Sequence, residues 1–154
     1  MTDDSDPTTA PRTPDDITPD SPFTLPGFFA ALADGDLWAA VCRECQQRLI
    51  PPRPACYACG SRDLYVESQP ETGSVVSYTE VRTPPAALEA RAPYTVAIVE
   101  LDSGARLTGR LTVPYADTSI GMPVRLSTRP PDDDELEMAL SYEVDWPIHE
   151  FEPV

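Results

Sequence analysis

Lysine is missing from this chain of 154 residues: all eleven of its basic side chains are arginine, set against 26 carboxylates. A net charge of −15 at neutral pH argues against nucleic acid as a partner, since such binding draws on clustered cationic side chains that neutralise phosphates. Histidine is almost absent as well. The single His149 has no second imidazole to pair with, and it reads as an ordinary surface residue among prolines and glutamates. No G-x-S-x-G elbow, phosphate-binding P-loop or G-x-G-x-x-G turn occurs. The many Asp and Glu single out no catalytic pair, so no catalytic residue is assigned, and the composition favours a binding or assembly module over an enzyme. Long hydrophobic runs are also lacking. Nothing approaches the roughly 20 apolar residues of a bilayer-spanning helix, and residues 1–20 have no apolar core of a secretion signal. A cytoplasmic protein without membrane contact is the expectation.

The acidity is spread along the chain, from Glu67, Glu71 and Glu80 through Glu100 and Asp102 to Asp132–Glu135 and Glu137. Self-repulsion on this scale weakens a compact state at low salt. Together with the missing lysine it resembles proteins of salt-in halophiles, where molar salt screens charges to within roughly 3 Å. A GC-rich actinobacterial origin would explain the arginine bias but not the acidity.

Against these absences stand four cysteines in two C-x-x-C pairs, Cys42/Cys45 and Cys56/Cys59, with ten residues between the pairs. Two intervening residues let both sulfurs of a pair point at one ion from a tight turn, and two facing turns supply the tetrahedral S₄ cage that Zn²⁺ prefers. Gly60, directly after the second pair, suits the left-handed turn that frees backbone N–H groups toward sulfur. The alternatives are disulfides, a redox-active C-x-x-C or unrelated buried cysteines. Zinc is the preferred reading, because cytosolic disulfides are uncommon and no βαβ pattern surrounds either pair. Four thiolates leave no open coordination position, which makes the ion structural.

The chain divides by composition into four segments. Residues 1–21 are Asp, Thr, Pro and Ser, an acidic tail expected to be disordered. Residues 22–36 contain the pattern for a short helix with Phe28, Phe29 and Leu32, stopped at Gly35. Its apolar face either packs on its own domain or docks on another protein, with Phe28 and Phe29 as the candidate partner-binding residues. Residues 37–62 read as strand, knuckle, strand, rigid Pro51-Pro52-Arg53-Pro54 turn, knuckle: a zinc ribbon. Residues 63–154 carry β-branched and aromatic runs at 64–66, 75–81, 95–101, 106–113 and 124–128, with Asp102-Ser103-Gly104 as a hairpin turn. A polar loop is expected at 130–135 and a further alternating strand at 138–144. The fold class is therefore mainly β, a short helix and zinc ribbon followed by a small barrel of the OB type. OB barrels often bind single strands through stacking aromatics and basic grooves. Tyr65, Tyr78 and Tyr94 could stack, but Arg82, Arg91, Arg106 and Arg110 are dispersed rather than grouped with them.

The order of elements carries a resemblance. An aromatic helix precedes C-x-x-C, then P-P-R-P-x-C-x-x-C-G-S, G-S-V-V-S-Y-T-E-V, P-Y-T-V-A-I-V-E-L-D-S-G-A-R-L-T-G-R-L and I-G-M-P-V-R-L. From Phe23 to Thr128 this resembles the acyl-CoA-associated family in which a rubredoxin-like zinc ribbon is joined to an OB-fold. The resemblance implies a non-catalytic partner of thiolase-superfamily enzymes. In its archaeal branch, which the halophilic composition favours, it implies a scaffold joining acetoacetyl-CoA thiolase to hydroxymethylglutaryl-CoA (HMG-CoA) synthase, so that a CoA-bound intermediate passes between them on the mevalonate route. It also implies Cys42, Cys45, Cys56 and Cys59 as zinc ligands. Arg53, on the P-P-R turn, is the candidate contact for the phosphates of an acyl-CoA. Gln46 departs from the family pattern, standing after the first knuckle where glycine is common. The alternative functions are an OB-fold nucleic-acid-binding accessory protein, or an accessory subunit of another acyl-CoA enzyme such as a hydratase.

Overall fold

A computed structural model describes residues 21–138 and 146–154, so the N-terminal acidic tail and most of the strand expected at 138–144 lie outside the described residues. Two compact units divide between Gln69 and Pro70.

The first unit opens with α1 (Leu25–Ala33), capped by the Thr24 hydroxyl, which accepts from the Gly27 N–H, with proline in its first turn. Both features favour helix initiation, one by satisfying an orphan donor and one by fixing φ. The helix ends where the Gly35 N–H donates to the Leu32 carbonyl at 3.0 Å, and Gly35 itself has φ +90°. Next come β1 (Trp38–Cys42), β2 (Arg48–Leu49) and β3 (Leu64–Ser68), a three-stranded antiparallel sheet with β1 in the middle. Phe23, Ala40, Cys42, Leu49, Cys56, Leu64 and Val66 form its core, with Trp38 packed against it.

The sequence reading places residues 64–66 at the start of the barrel. In the structure β3 pairs with β1 instead, Cys42 lying opposite Leu64 and Ala40 opposite Val66. The alternation of β3 explains this: Leu64 and Val66 point into the ribbon core, and slipping the strand out would expose both.

The second unit is a closed five-stranded barrel in the order β4-β5-β6-β8-β7, built from β4 (Thr72–Val81), β5 (Tyr94–Leu101), β6 (Arg106–Leu111), β7 (Pro123–Arg129) and β8 (Ile148–Pro153). All pairings are antiparallel except β6 with β8. Closure removes exposed strand edges, and this is the OB architecture. Val75, Ala97, Val99, Leu101, Leu111, Val124, Leu126 and Phe151 fill the interior. Gly109 is required there, because a Cβ on it would sit 2.9 Å from the Phe151 ring.

The connection between β4 and β5 contains a 3-10 segment, Ala86–Arg91. Two local expectations are corrected. The polar loop after β7 turns at Asp133 into a short helix, α2 (Asp133–Met138). The C-terminal residues around His149 form β8, which closes the barrel and whose ladder pairs Phe151 with both Leu111 and Leu126.

Candidate metal centre

Each pair of cysteines sits on a turn that reverses the chain. In the first, the Gln46 N–H donates to the Cys42 carbonyl at 2.9 Å; in the second, the Gly60 N–H donates to the Cys56 carbonyl at 2.8 Å. Both turns place the residue after the second cysteine in the left-handed region, Gln46 at φ 67° and Gly60 at φ 79°. Glycine adopts that conformation freely, whereas a side chain there costs about 1–2 kcal/mol. Gln46 thus departs from the usual glycine without changing the knuckle's shape, and its Nε2 donates to the Arg43 carbonyl at 3.2 Å.

The two turns bring all four sulfurs within 4.8 Å of one another. Cys42 and Cys59 are 3.5 Å apart, as are Cys45 and Cys56. A tetrahedral Zn²⁺ with Zn–S bonds of about 2.3 Å spaces its sulfurs about 3.8 Å apart, between the 3.5 Å of the two close pairs and the 4.8 Å span of the whole set, so the four sulfurs reach the ion by small shifts. None of the four cysteines is in a disulfide. The first cysteine of each pair, Cys42 and Cys56, is buried in the ribbon core, and the second is exposed. The metal therefore ties the apolar cluster to the outer rim of both turns.

Electrostatics agree. Burial raises the Cys42 thiol, but the backbone N–H groups of Cys45 and Glu44 outweigh it and bring the thiol down to about 7. Cys59 receives a lowering hydrogen bond from Ser61, yet the crowding sulfurs of Cys42, Cys45 and Cys56, together with burial, push it up to about 12. Four thiolates cannot coexist at this spacing without a cation among them, and a dication resolves the conflict.

Cys42, Cys45, Cys56 and Cys59 are thus the only predicted site residues brought together. Arg53 is exposed on the turn before the second knuckle and makes no ion pair among the described residues. Phe28, a candidate partner-binding residue, is 4% exposed and packs inside its own unit, buried along with Leu32 one turn on. Phe29 is half-buried, its ring edge-to-face with Phe28 at 5.2 Å. His149 lies in β8 with Nε2 2.9 Å from the Thr108 carbonyl oxygen. Among the described residues, no helix is long and apolar enough to cross a membrane.

Comparison with known proteins gives this arrangement a family. Residues 29–64 match the pattern described as "ChsH2, rubredoxin-like zinc ribbon domain", and residues 65–129 match "ChsH2, C-terminal OB-fold domain". A solved structure described as "Ltp2-ChsH2(DUF35) aldolase" is 32% identical and superposes with a TM-score of 0.62, covering 82% of this chain and 91% of that one. The chain belongs to the ChsH2/DUF35 family. In that family's terms the four cysteines are the rubredoxin-like zinc site, and the barrel is the OB domain. Among curated relatives, a "DUF35 domain-containing scaffold protein" of Pyrococcus furiosus is 38% identical over 82 residues, which is 53% of this chain and 60% of that protein. A "probable enoyl-CoA hydratase alpha subunit" of Thermomonospora curvata is 42% identical over 87 residues, 55% of this chain and 27% of that protein. The chain thus aligns with 60% or less of the length of both curated relatives.

Sequence reasoning missed one cluster, in the barrel unit. Glu135 on α2 is held by Arg91, Arg110 and Arg129, which reach it from three different elements. By spacing, Arg91 and Arg110 look dispersed, and Arg129 stands out for nothing. The available signal was the D-x-x-E of Asp132 and Glu135 directly after Pro130-Pro131, the pattern of a reciprocal helix cap.

Proposed function

We propose that this protein is a non-catalytic, zinc-stabilised scaffold that bridges acetoacetyl-CoA thiolase and HMG-CoA synthase. In that position it would hold the two active sites close while an acyl-CoA intermediate passes between them. The observation that carries the reading is the match of ribbon and barrel, in order, to a family with scaffold-named members. The chemistry of the chain agrees. A closed S₄ site has no coordination position for substrate, and the one imidazole is engaged with a backbone carbonyl in a strand. Thiolase condensation to acetoacetyl-CoA runs uphill, so direct transfer to the next enzyme would draw it forward. The acidic, lysine-free composition favours a halophilic archaeal setting for this pathway.

The helix supplies a candidate docking face. α1 reads LPGFFAALA, with no polar side chain, yet only Phe28 and Leu32 are buried. A helix that is apolar all round normally has its whole circumference covered. Leu25, at 47% exposure, and the half-buried Phe29 lie four residues apart, on one side of the helix. This face would receive the partner enzyme, and the exposed Arg53 would meet the phosphates of its acyl-CoA. Co-expression with thiolase and HMG-CoA synthase, read by gel filtration in molar salt, tests the reading. Leu25→Asp with Phe29→Asp should lose the complex while the isolated protein stays folded, because buried aromatic and aliphatic anchors carry much of an interface's energy. Retention of the complex by this variant would remove α1 from the interface.

A second reading has its own support. The similarity to a hydratase subunit and to an aldolase-named structure favours the same scaffold serving a different acyl-CoA enzyme. Co-expression with those enzyme classes separates the two.

A further inference from the structure

Three guanidinium groups converge on one carboxylate at the side of the barrel. Arg129 grips Glu135 with both arms of its fork, Nη1 at 2.7 Å from one oxygen and Nη2 at 3.2 Å from the other. Arg110 Nη2 lies 2.9 Å from that second oxygen and Arg91 Nη1 3.4 Å from it. The Glu135 side chain is only 7% exposed. The arginines come from the 3-10 segment, β6 and β7, three parts of the barrel unit; Arg110 also lies over the Tyr94 ring, and Arg129 pairs with Glu150 at 3.0 Å. The carboxylate comes instead from α2, a six-residue helix. Asp133, Asp134, Leu136 and Glu137 on that helix are exposed. Among the described side chains, its hold on the barrel rests on Glu135 and on Asp132, which pairs with Arg91. Withdrawing α2 would remove both acids together, leaving, among the described residues, three guanidinium groups against the carboxylate of Glu150. That remainder, two positive charges in excess, complements a dianion.

We propose that Arg91, Arg110 and Arg129 form an oxyanion-binding cradle for a phosphate-type dianion, which α2 closes by seating its own Glu135 carboxylate in it. A planar fork that grips two oxygens of a carboxylate grips two oxygens of a phosphate in the same way. In a chain this acidic, three convergent arginines have no solubility purpose, and a carboxylate that sits where a ligand would sit makes the site self-blocked until a phosphate competes for it. This inference is independent of the scaffold reading, because it concerns anion binding by the chain alone.

The test is calorimetric titration of the full chain at constant ionic strength, with inorganic pyrophosphate in one arm and adenosine 3′-phosphate in the other, to separate free phosphates from nucleotide ones. Glu135→Ala should bind one or both at least about tenfold more tightly than the unaltered protein, the equivalent of about 1.4 kcal/mol or one charge-assisted hydrogen bond. Glu135→Ala combined with Arg129→Gln should lose that gain. Folded Glu135→Ala protein that binds neither anion better than the unaltered chain would overturn the proposal and leave Glu135 as a strap. If Glu135→Ala does not fold, amide hydrogen exchange at 133–138 of the unaltered protein decides. Pyrophosphate should accelerate it relative to sodium chloride of equal ionic strength, and equal exchange rates would refute the cradle.

Discussion

Thr95 is a polar side chain in an apolar layer, and replacing it with valine should stabilise the barrel. It is 1% exposed, and its hydroxyl has no hydrogen-bond partner among the described residues. Its ladder partner on β6 is Leu111, which stands opposite Phe151, which in turn stands opposite Leu126. Three of the four residues in this row are thus large and apolar. An unsatisfied buried hydroxyl costs about 1–3 kcal/mol, and a methyl group in its place gains somewhat under about 0.8 kcal/mol of burial. Some of the hydroxyl's cost is relieved by local adjustment, so a net gain of about 1–2 kcal/mol is expected for Thr95→Val. For a domain of this size that corresponds to a rise in Tm of about 5–10 °C. Thermal unfolding followed by circular dichroism measures it. Thr95→Ala serves as the control and should fall below Thr95→Val, because it removes the hydroxyl but leaves a void. A lower Tm for Thr95→Val would refute the reasoning and show that the hydroxyl is satisfied by a bound water or ligand.

Other expectations follow from the ribbon and the ion cluster. Cys56→Ser should abolish zinc binding and unfold the first unit while the barrel keeps its structure, since metal binding supplies on the order of 10 kcal/mol to a small ribbon; elemental analysis and near-ultraviolet circular dichroism report both. For Glu135, burial raises the carboxyl, but the hydrogen bonds from Arg129 and Arg110 outweigh it and hold it below its ordinary value. A depressed carboxyl contributes stability above its unfolded value of about 4.3 and loses it as pH falls through the lower folded value. Denaturant titrations should therefore show the unaltered protein losing stability below about pH 4 more steeply than Glu135→Gln. The net charge of −15 predicts loss of structure below a few tenths molar salt, a threshold set roughly by the screening length; full cooperative stability in dilute buffer would contradict the halophilic reading.

The metal site was legible because its chemistry is local: the C-x-x-C spacing alone places two sulfurs on one turn, and only the pairing of the two turns needs the fold. Four of the five barrel strands, β4 to β7, were legible for the same reason, each being a run rich in β-branched residues bounded by turn residues. What sequence hid was relational. Leu64 and Val66 look like any strand, and only the alternative of pairing with β1 or β4 decides which sheet they join. β8 was missed because Ile148–Pro153 reads as acidic and proline-flanked, and its strand character comes from the gap that β6 and β7 leave between them. Phe28 and Phe29 are adjacent in sequence but on different sides of α1, so one is buried and the other half-exposed. The Arg91/Arg110/Arg129 cluster joins residues up to 38 positions apart, a distance that no spacing rule spans.

The central claim is that the protein works by holding acyl-CoA enzymes together. Affinity capture on the zinc-loaded protein from native extract in molar salt, with the retained proteins identified by mass spectrometry, tests it most directly. The account predicts acetoacetyl-CoA thiolase and HMG-CoA synthase retained together and released by Leu25→Asp/Phe29→Asp. Retention of nucleic acid, or of no acyl-CoA enzyme, would contradict it.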